Sequence, residues 1–217
     1  MKLIIFGSDG VILDSFCGCG GNAIGFANLK SSLISLVVCV DIDRSKLKMA
    51  ANNASIYGVS TDRIVFIEGD VTFILQQCYK DGILVDFSQL TNVKKVETEN
   101  HKGYNIGGYN LLPQNIDAIF LSPPWGGPSY MNDNKKGYSL RSISLQTWDK
   151  ENIDGQDLLI LAKNACKTKL VVYFLPRNVN GHDIGKSVWR VGYKDMEIEK
   201  NMLNGKLKTV TMYLTQS

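Results

Sequence analysis

The sequence predicts a single-domain α/β fold: a mostly parallel central sheet flanked by helices and closed at its C-terminal end by an antiparallel hairpin. Three observations predict it. Short apolar runs, Val11-Ile12-Leu13, Ile34 to Val40, Ile64 to Ile67, Ile116 to Leu121 and Leu170 to Leu175, alternate with longer segments suited to helices. The first three runs each lead into an acidic residue: Asp14, Asp41 and Asp70. The chain then finishes in two strand-like segments, Asp195 to Asn201 and Leu207 to Leu214, joined through Asn204-Gly205, a dipeptide suited to a hairpin turn.

A chain of 217 residues is long enough for one sizeable core, here taken as one domain over 1–217. Hydrophobic and charged contents of 44% and 21% are those of a globular protein rather than a disordered one. A net charge of +3 permits an anionic partner without demanding one. Five cysteines, an odd number with no C-x-x-C pair, argue against a disulfide framework and a zinc site, and fit a reducing, intracellular compartment. No apolar run approaches the roughly 18 residues that cross a membrane, and the N-terminus lacks a signal-peptide layout. The expectation is a monomer with no metal and no membrane partner.

Taken in order, Leu3 to Phe6 forms a short strand before the turn Gly7-Ser8-Asp9-Gly10, and Val11 to Leu13 forms a firmer one. Phe6 to Val11 resembles the opening of haloacid-dehalogenase-type phosphatases, but Gly7 occupies the place of the nucleophilic aspartate and cannot form an aspartyl-phosphate. Asp14-Ser15-Phe16-Cys17-Gly18-Cys19-Gly20-Gly21-Asn22 is a glycine cluster directly after a strand, and Ala23 to Leu29 starts a helix. A ligand can approach the backbone closely at such a junction. It is neither the dinucleotide fingerprint, since position 23 is Ala, nor a phosphate loop, since no Gly-Lys-Ser/Thr follows. An acidic residue ahead of G-x-G suits a ligand with a cationic amino-acid end.

Asp41-Ile42-Asp43 closes the second strand one helix later, so Asp41 reaches the same crevice, where an acidic residue binds ribose hydroxyls. A helix over Ser45 to Tyr57 follows, with Ser45 as its N-cap and Gly58 as its stop. Glu68-Gly69-Asp70 ends the third strand and offers Asp70 to an adenine amino group. Three acidic strand ends, the first with G-x-G, together describe the S-adenosylmethionine crevice of a Rossmann-like class I methyltransferase.

Residues 71–80 read as a helix, and 86–113 as an inserted, flexible surface loop, with a small hairpin or a lid as alternatives. The strand Ile116 to Leu121 runs into Ser122-Pro123-Pro124-Trp125-Gly126-Gly127-Pro128. Paired prolines donate no backbone hydrogen bond and fix their own φ, so their carbonyls remain acceptors. With a small polar residue before and an aromatic after, they form a slot for a flat molecule carrying an amino group; a rigid turn is the other reading. Residues 129–150, with Tyr130, Lys135, Lys136, Tyr138, Arg141 and Trp148, have the composition of a nucleic-acid rim or, equally, of a solvated loop. Asp154 to Ala165 reads as a helix, Leu170 to Leu175 as a strand ending in Pro176-Arg177-Asn178, and Ser187 to Tyr193 as a short element.

These residues resemble the trimethylguanosine synthase family, which methylates guanine N2 of the 7-methylguanosine cap on small nuclear and nucleolar RNAs. The matches are Asp14 to Asn22, Val40 to Asp43, Asn52-Asn53-Ala54, Tyr57-Gly58, Glu68 to Asp70, Phe120 to Pro128 with Tyr130, Tyr173 to Asn178 and Asn201 to Thr209. The Ser-Pro-Pro-Trp-Gly-Gly-Pro run is the most specific of them. The resemblance implies a nuclear or nucleolar protein and S-adenosylmethionine held by Asp14, Phe16, Gly18, Gly20, Asn22, Asp41, Ile42, Asp70 and Val71. It implies capped RNA held by Trp125, Tyr130, Arg177, Asn178 and Lys206. Ser122 and the Pro123 carbonyl would hold the amino group, and Trp125 would stack on a positively charged base, a cation–π contact of roughly 0.5–2 kcal/mol. Arg177, Lys206 and Lys208 are candidates for the triphosphate, with Arg177 and Lys206 favoured by the resemblance; His101 and His182 read as ordinary loop residues. The family carries a helical extension before the first strand, which the sequence in hand, with about ten residues ahead of Val11, is expected to lack. Two alternatives stay open: methylation of another exocyclic amine (adenine N6, glutamine, or ribosomal guanine N2), or a cofactor- and RNA-binding module inactive without that extension.

Overall fold

The computed structural model describes residues 9–29, 33–85, 96–127, 137–166, 168 and 170–216. The strand expected over Leu3 to Phe6, together with Pro128, Tyr130, Lys135 and Lys136, lies outside these. The chain begins with β1 (Gly10–Asp14), α1 (Gly21–Ala27), β2 (Ile34–Asp41), α2 (Arg44–Ile56) and β3 (Ile64–Glu68). One helical turn, α3 (Val71–Phe73), runs into a wider π turn, Ile74–Cys78. Two hairpins follow: β4 (Tyr79–Lys80) with β5 (Ile83–Leu84), and β6 (Glu99–His101) with β7 (Tyr104–Gly107). Then come β8 (Ala118–Leu121), the hairpin β9 (Ser144–Gln146) and β10 (Asn152–Asp154), α4 (Gly155–Ala165) and β11 (Leu170–Pro176). The chain closes with α5 (Gly181–Arg190), β12 (Asp195–Leu203) and β13 (Lys206–Thr215).

Among the described residues nine strands form one sheet in the order β12-β13-β11-β8-β1-β2-β3-β7-β6. The six strands from β11 to β7 run parallel, β13 pairs antiparallel with β11 and β12, and β6 pairs antiparallel with β7. From β1 the chain moves to β2 on one side and later returns to β8 on the other. The strand order therefore reverses at β1/β8, and a crevice opens at the C-terminal edge of such a point.

Alternate residues feed two cores. Ile12, Val37, Cys39, Phe66 and Phe120 pack with Phe26, Leu47, Ala50 and Ala54 of α1 and α2. Leu13, Val38, Ile67, Leu121 and Tyr173 pack with Leu158, Ala162, Ile184 and Val188 of α4 and α5. Burial on both faces is why β1 and β8 are buried without alternation.

Four elements differ from the sequence expectation. The N-cap of α2 is Asp43, whose carboxylate accepts from the Ser45 amide, so the helix starts one residue ahead of Ser45. The expected helix over 71–80 ends at Cys78, because Asp81 and Gly82 (φ 50° and 78°) reverse the chain between β4 and β5. Within 86–113 the structure shows the hairpin alternative rather than the loop: residues 99–107 turn at Lys102-Gly103, both at positive φ, and β7 extends the sheet beside β3. Residues 86–95 lie outside the description. Helix α5 starts at Gly181, six residues ahead of the short element expected from Ser187; the Asn180 side chain accepts from the His182 and Asp183 amides and offsets the weak propensity of Gly181 and Gly185.

Candidate active site

At the C-terminal ends of β1, β2, β3 and β8 lies a cavity of about 390 Å³. It is lined by Ser15, Phe16, Gly18, Asp41, Ile42, Lys46, Gly69, Asp70, Val71, Thr72, Ser122, Pro124, Leu145 and Gln146. Seven of the residues expected at the cofactor or the reaction centre therefore share one space: Phe16, Gly18, Asp41, Ile42, Asp70, Val71 and Ser122.

The glycine loop is held from both sides. The Cys17 amide donates to the Val40 carbonyl (2.8 Å) and the Gly18 amide to Asp41 Oδ2 (2.9 Å). Asn53 Nδ2 donates to the Cys19 carbonyl at 3.0 Å, which accounts for part of the Asn52-Asn53-Ala54 match. Gly20 is left-handed (φ 87°), and a Cβ there would come within 3.0 Å of Ala50 Cβ, so loop and α2 approach each other only because it is glycine. Gly20 caps α1 and Asn22 lies in its first turn, behind the cavity rather than in its wall.

Asp14 is 1% exposed, and neither of its carboxylate oxygens nor Ser15 Oγ has a hydrogen-bond partner among the described residues. Burial, with a small addition from the Asp41 charge, pushes the Asp14 carboxyl up to about 7. The Phe16 and Ala23 amides face it and offset part of this, although neither completes a hydrogen bond of ordinary geometry. Asp14 is not itself in the cavity wall but adjoins Ser15, which is; a ligand ammonium group reaching it would supply the cation that such a buried carboxylate lacks.

Asp41 accepts from the Asp43 amide at Oδ1 and from Gly18 at Oδ2, both at 2.9 Å, with Lys46 Nζ 4.0 Å from Oδ1. A carboxylate has about four acceptor sites, so two hydroxyls can still be received. Beside it Ile42 is 74% exposed, apolar area that the flat face of a base would cover. Asp70 Oδ1 takes the Thr72 amide (2.8 Å) and hydroxyl (2.7 Å).

On the opposite wall, Ser122 Oγ donates to the Phe16 carbonyl at 3.3 Å, tying the proline slot to the glycine loop. Pro123 is buried, and Pro124 lines the cavity. Trp125 is half-buried outside that lining; its Nε1 donates to the Phe174 carbonyl (3.3 Å), and its ring lies 5.5 Å from Phe174 at 34°. Its carbonyl accepts from Tyr138 Oη at 3.3 Å. Gly126 and Gly127, at φ 91° and 69°, turn the chain away. Arg177 and Asn178 follow β11 outside the cavity, where the Asn178 carbonyl accepts from the Tyr138 amide (2.8 Å). Because Thr209 pairs with Pro176, Lys206 and Lys208 precede that pair and overhang the same sheet edge.

Five further residues of the site, Lys46, Thr72, Tyr109, Leu145 and Gln146, went unrecognised in the sequence. Tyr109, in the short helical turn after β7, receives the Asp70 amide on its hydroxyl at 2.9 Å. A Cβ at Gly69 would come within 2.4 Å of that ring, so this glycine is the space Tyr109 fills. Leu145 and Gln146 of β9 close the wall, and the chain after them is fastened by Trp148, whose amide donates to Thr72 Oγ1 at 3.0 Å. Only the glycine of Glu68-Gly69-Asp70 hinted at a close neighbour; nothing in the sequence named it.

The sheet order and the crevice at its reversal define a Rossmann-like class I methyltransferase fold. Solved structures agree at the level of fold. A magnesium protoporphyrin IX methyltransferase from Synechocystis, solved with bound S-adenosylmethionine, covers 96% of this chain and 71% of its own (TM-score 0.54, 10% identity). A precorrin-6y C5,15-methyltransferase from Geobacter metallireducens covers 98% and 82% (TM-score 0.51, 11% identity). In sequence, residues 9–217 match the model of the RNA cap guanine-N2 methyltransferase family, and the chain belongs to that family. A trimethylguanosine synthase from Schizosaccharomyces pombe is 34% identical over 173 residues, 78% of this chain and 52% of that protein. One from Saccharomyces cerevisiae is 28% identical over 181 residues, 83% of this chain and 42% of that protein. The chain thus spans about half the length of the curated relatives it matches.

Proposed function

We propose that this chain binds S-adenosylmethionine in the crevice and directs methyl transfer to guanine N2 of a 7-methylguanosine cap, giving the 2,2,7-trimethylguanosine form. The observation that carries this reading is one cavity walled by Phe16, Asp41, Asp70, Ser122 and Pro124, with the unpartnered Asp14 carboxylate buried next to Ser15 of its wall. The residues present fit the cofactor. Asp14 takes its ammonium group, Asp41 its ribose hydroxyls and Asp70 its adenine amino group, with Ile42 and Val71 against the base. Phe16 and Gly18 line its path, and Gly20 and Asn22 support the loop from behind.

When bound, the cofactor supplies an electrophilic sulfonium methyl. Guanine N2 is a weak nucleophile because its lone pair is delocalised, so the protein's task is orientation in a dry site. Ser122 and the Pro123 carbonyl accept from the amino group and turn its nitrogen toward the methyl. No strong base is needed until N2 sheds its proton after transfer. Trp125 and Tyr130 hold the charged base, and Arg177, Asn178 and Lys206 receive the phosphates. Capped small nuclear and nucleolar RNAs, and hence a nuclear location, complete the reading; among the described residues no helix is long and apolar enough to cross a membrane.

The test is transfer of labelled methyl from S-adenosylmethionine to a 7-methylguanosine-capped dinucleotide, with the unmethylated cap as control. Preference for the methylated cap is expected. Equal use of both caps, or methylation of adenine in a capless RNA instead, would refute the assignment of substrate.

A further inference from the structure

We propose that Thr72 is a positioning residue for adenine recognition: it presents the Asp70 carboxylate to the 6-amino group, with the Trp148 amide setting the direction of its hydroxyl. The inference rests on the reading that Asp70 receives that group. Thr72 is 3% exposed and lies in the wall of the cavity. Its hydroxyl and its amide both donate to Asp70 Oδ1, at 2.7 and 2.8 Å. A carboxylate gripped twice through one oxygen cannot rotate without losing both bonds, so Oδ2 keeps a fixed direction.

A hydroxyl alone could swing away, but here its lone pair is engaged. The Trp148 amide donates to Thr72 Oγ1 at 3.0 Å, which leaves the O–H aimed at Asp70. Trp148 is itself fixed, with Nε1 donating to Gln76 Oε1 at 2.8 Å and its ring edge-on to Phe73 at 5.2 Å. The relay therefore joins three separate segments: the end of β3, the turn after it and the β9–β10 hairpin. Packing explains none of this, because valine would fill the volume of Thr72 and make neither side-chain bond.

The measurement is calorimetric affinity for S-adenosylhomocysteine and for its analogue in which purine, lacking the 6-amino group, replaces adenine. Thr72→Val is expected to weaken S-adenosylhomocysteine about tenfold and to leave the analogue within about twofold. Thr72→Ser, which keeps the hydroxyl, is expected to restore the wild-type preference. Equal losses for both ligands in Thr72→Val would overturn the proposal. Asp70→Ala separates it from its premise, since that variant is expected to bind both ligands alike. If Asp70→Ala still prefers the 6-amino ligand, the reading of Asp70 fails and the proposal with it. If it loses that preference while Thr72→Val penalises both ligands equally, the reading stands and Thr72 is merely structural.

Discussion

Replacing Asp14 by Asn should stabilise the ligand-free protein and weaken its cofactor affinity. The Asp14 carboxyl rises from an ordinary value near 3.8 to about 7, chiefly through burial. The folded protein therefore holds a proton that the unfolded chain has already released between those values. Stability should fall as pH rises from about 4 to 7 and then level off, with about 4 kcal/mol as the ceiling of the effect. An amide of the same shape carries no charge to desolvate but brings its own unpaired polar atoms, costing about 1–3 kcal/mol. The net gain above pH 7 should be about 1–3 kcal/mol, a rise of several degrees in Tm for a chain of this size. If Asp14 takes the ammonium group as proposed, wild-type cofactor binding requires the ionised carboxylate, so affinity should increase with pH up to about 7 and then plateau. The assays are thermal unfolding and titration with S-adenosylhomocysteine at pH 5.5, 7 and 8.5. A lower Tm for Asp14→Asn at pH 8.5, or unchanged ligand affinity, would refute the idea that Asp14 waits for a cation.

Trp125→Ala should abolish quenching by 7-methylguanosine diphosphate, read through the remaining tryptophans or by calorimetry, while S-adenosylhomocysteine binding stays within a few-fold. Asp41→Ala should do the opposite, losing roughly 10- to 100-fold in cofactor affinity as its contacts to ribose and to the Gly18 amide disappear; loss of both ligands in both variants would show that the two sites are not separate. Gly69→Ala forces a Cβ to within 2.4 Å of the Tyr109 ring, and chemical denaturation should report a loss of about 1–3 kcal/mol together with weaker cofactor binding. An undiminished midpoint there would mean that Tyr109 moves aside without cost.

Much of the crevice was legible because its signals are local. A buried parallel strand is a short apolar run, a tight approach is a glycine, and Asp14 and Asp41 end their strands while Asp70 follows its strand by two residues. The Asn204-Gly205 turn was legible for the same reason, with both residues at positive φ as the hairpin requires. What escaped was long-range or compensated. Tyr109 contributes to the Asp70 corner from a segment that reads as an insertion, and Leu145 and Gln146 reach the cavity from a stretch whose polarity suggests solvent. The start of α5 was hidden by two glycines, whose weak helix preference is overridden by the Asn180 cap. The sequence placed Trp125 next to the slot but could not indicate that Phe174 lies against its ring.

The crevice joins contacts of very different reach along the chain. Gly18 and Asp41 are 23 residues apart, whereas Phe16 and Ser122 are 106 apart. Closing the longer connection costs only about 1 kcal/mol more in chain entropy, yet distant parallel pairings form slowly because their loops must close before any contact rewards them. During synthesis the strands bearing Asp14, Asp41 and Asp70 leave the ribosome well before β8. The half of the pocket proposed for the methyl donor can take shape on a growing chain, and the proposed acceptor slot arrives as a late closing step of folding.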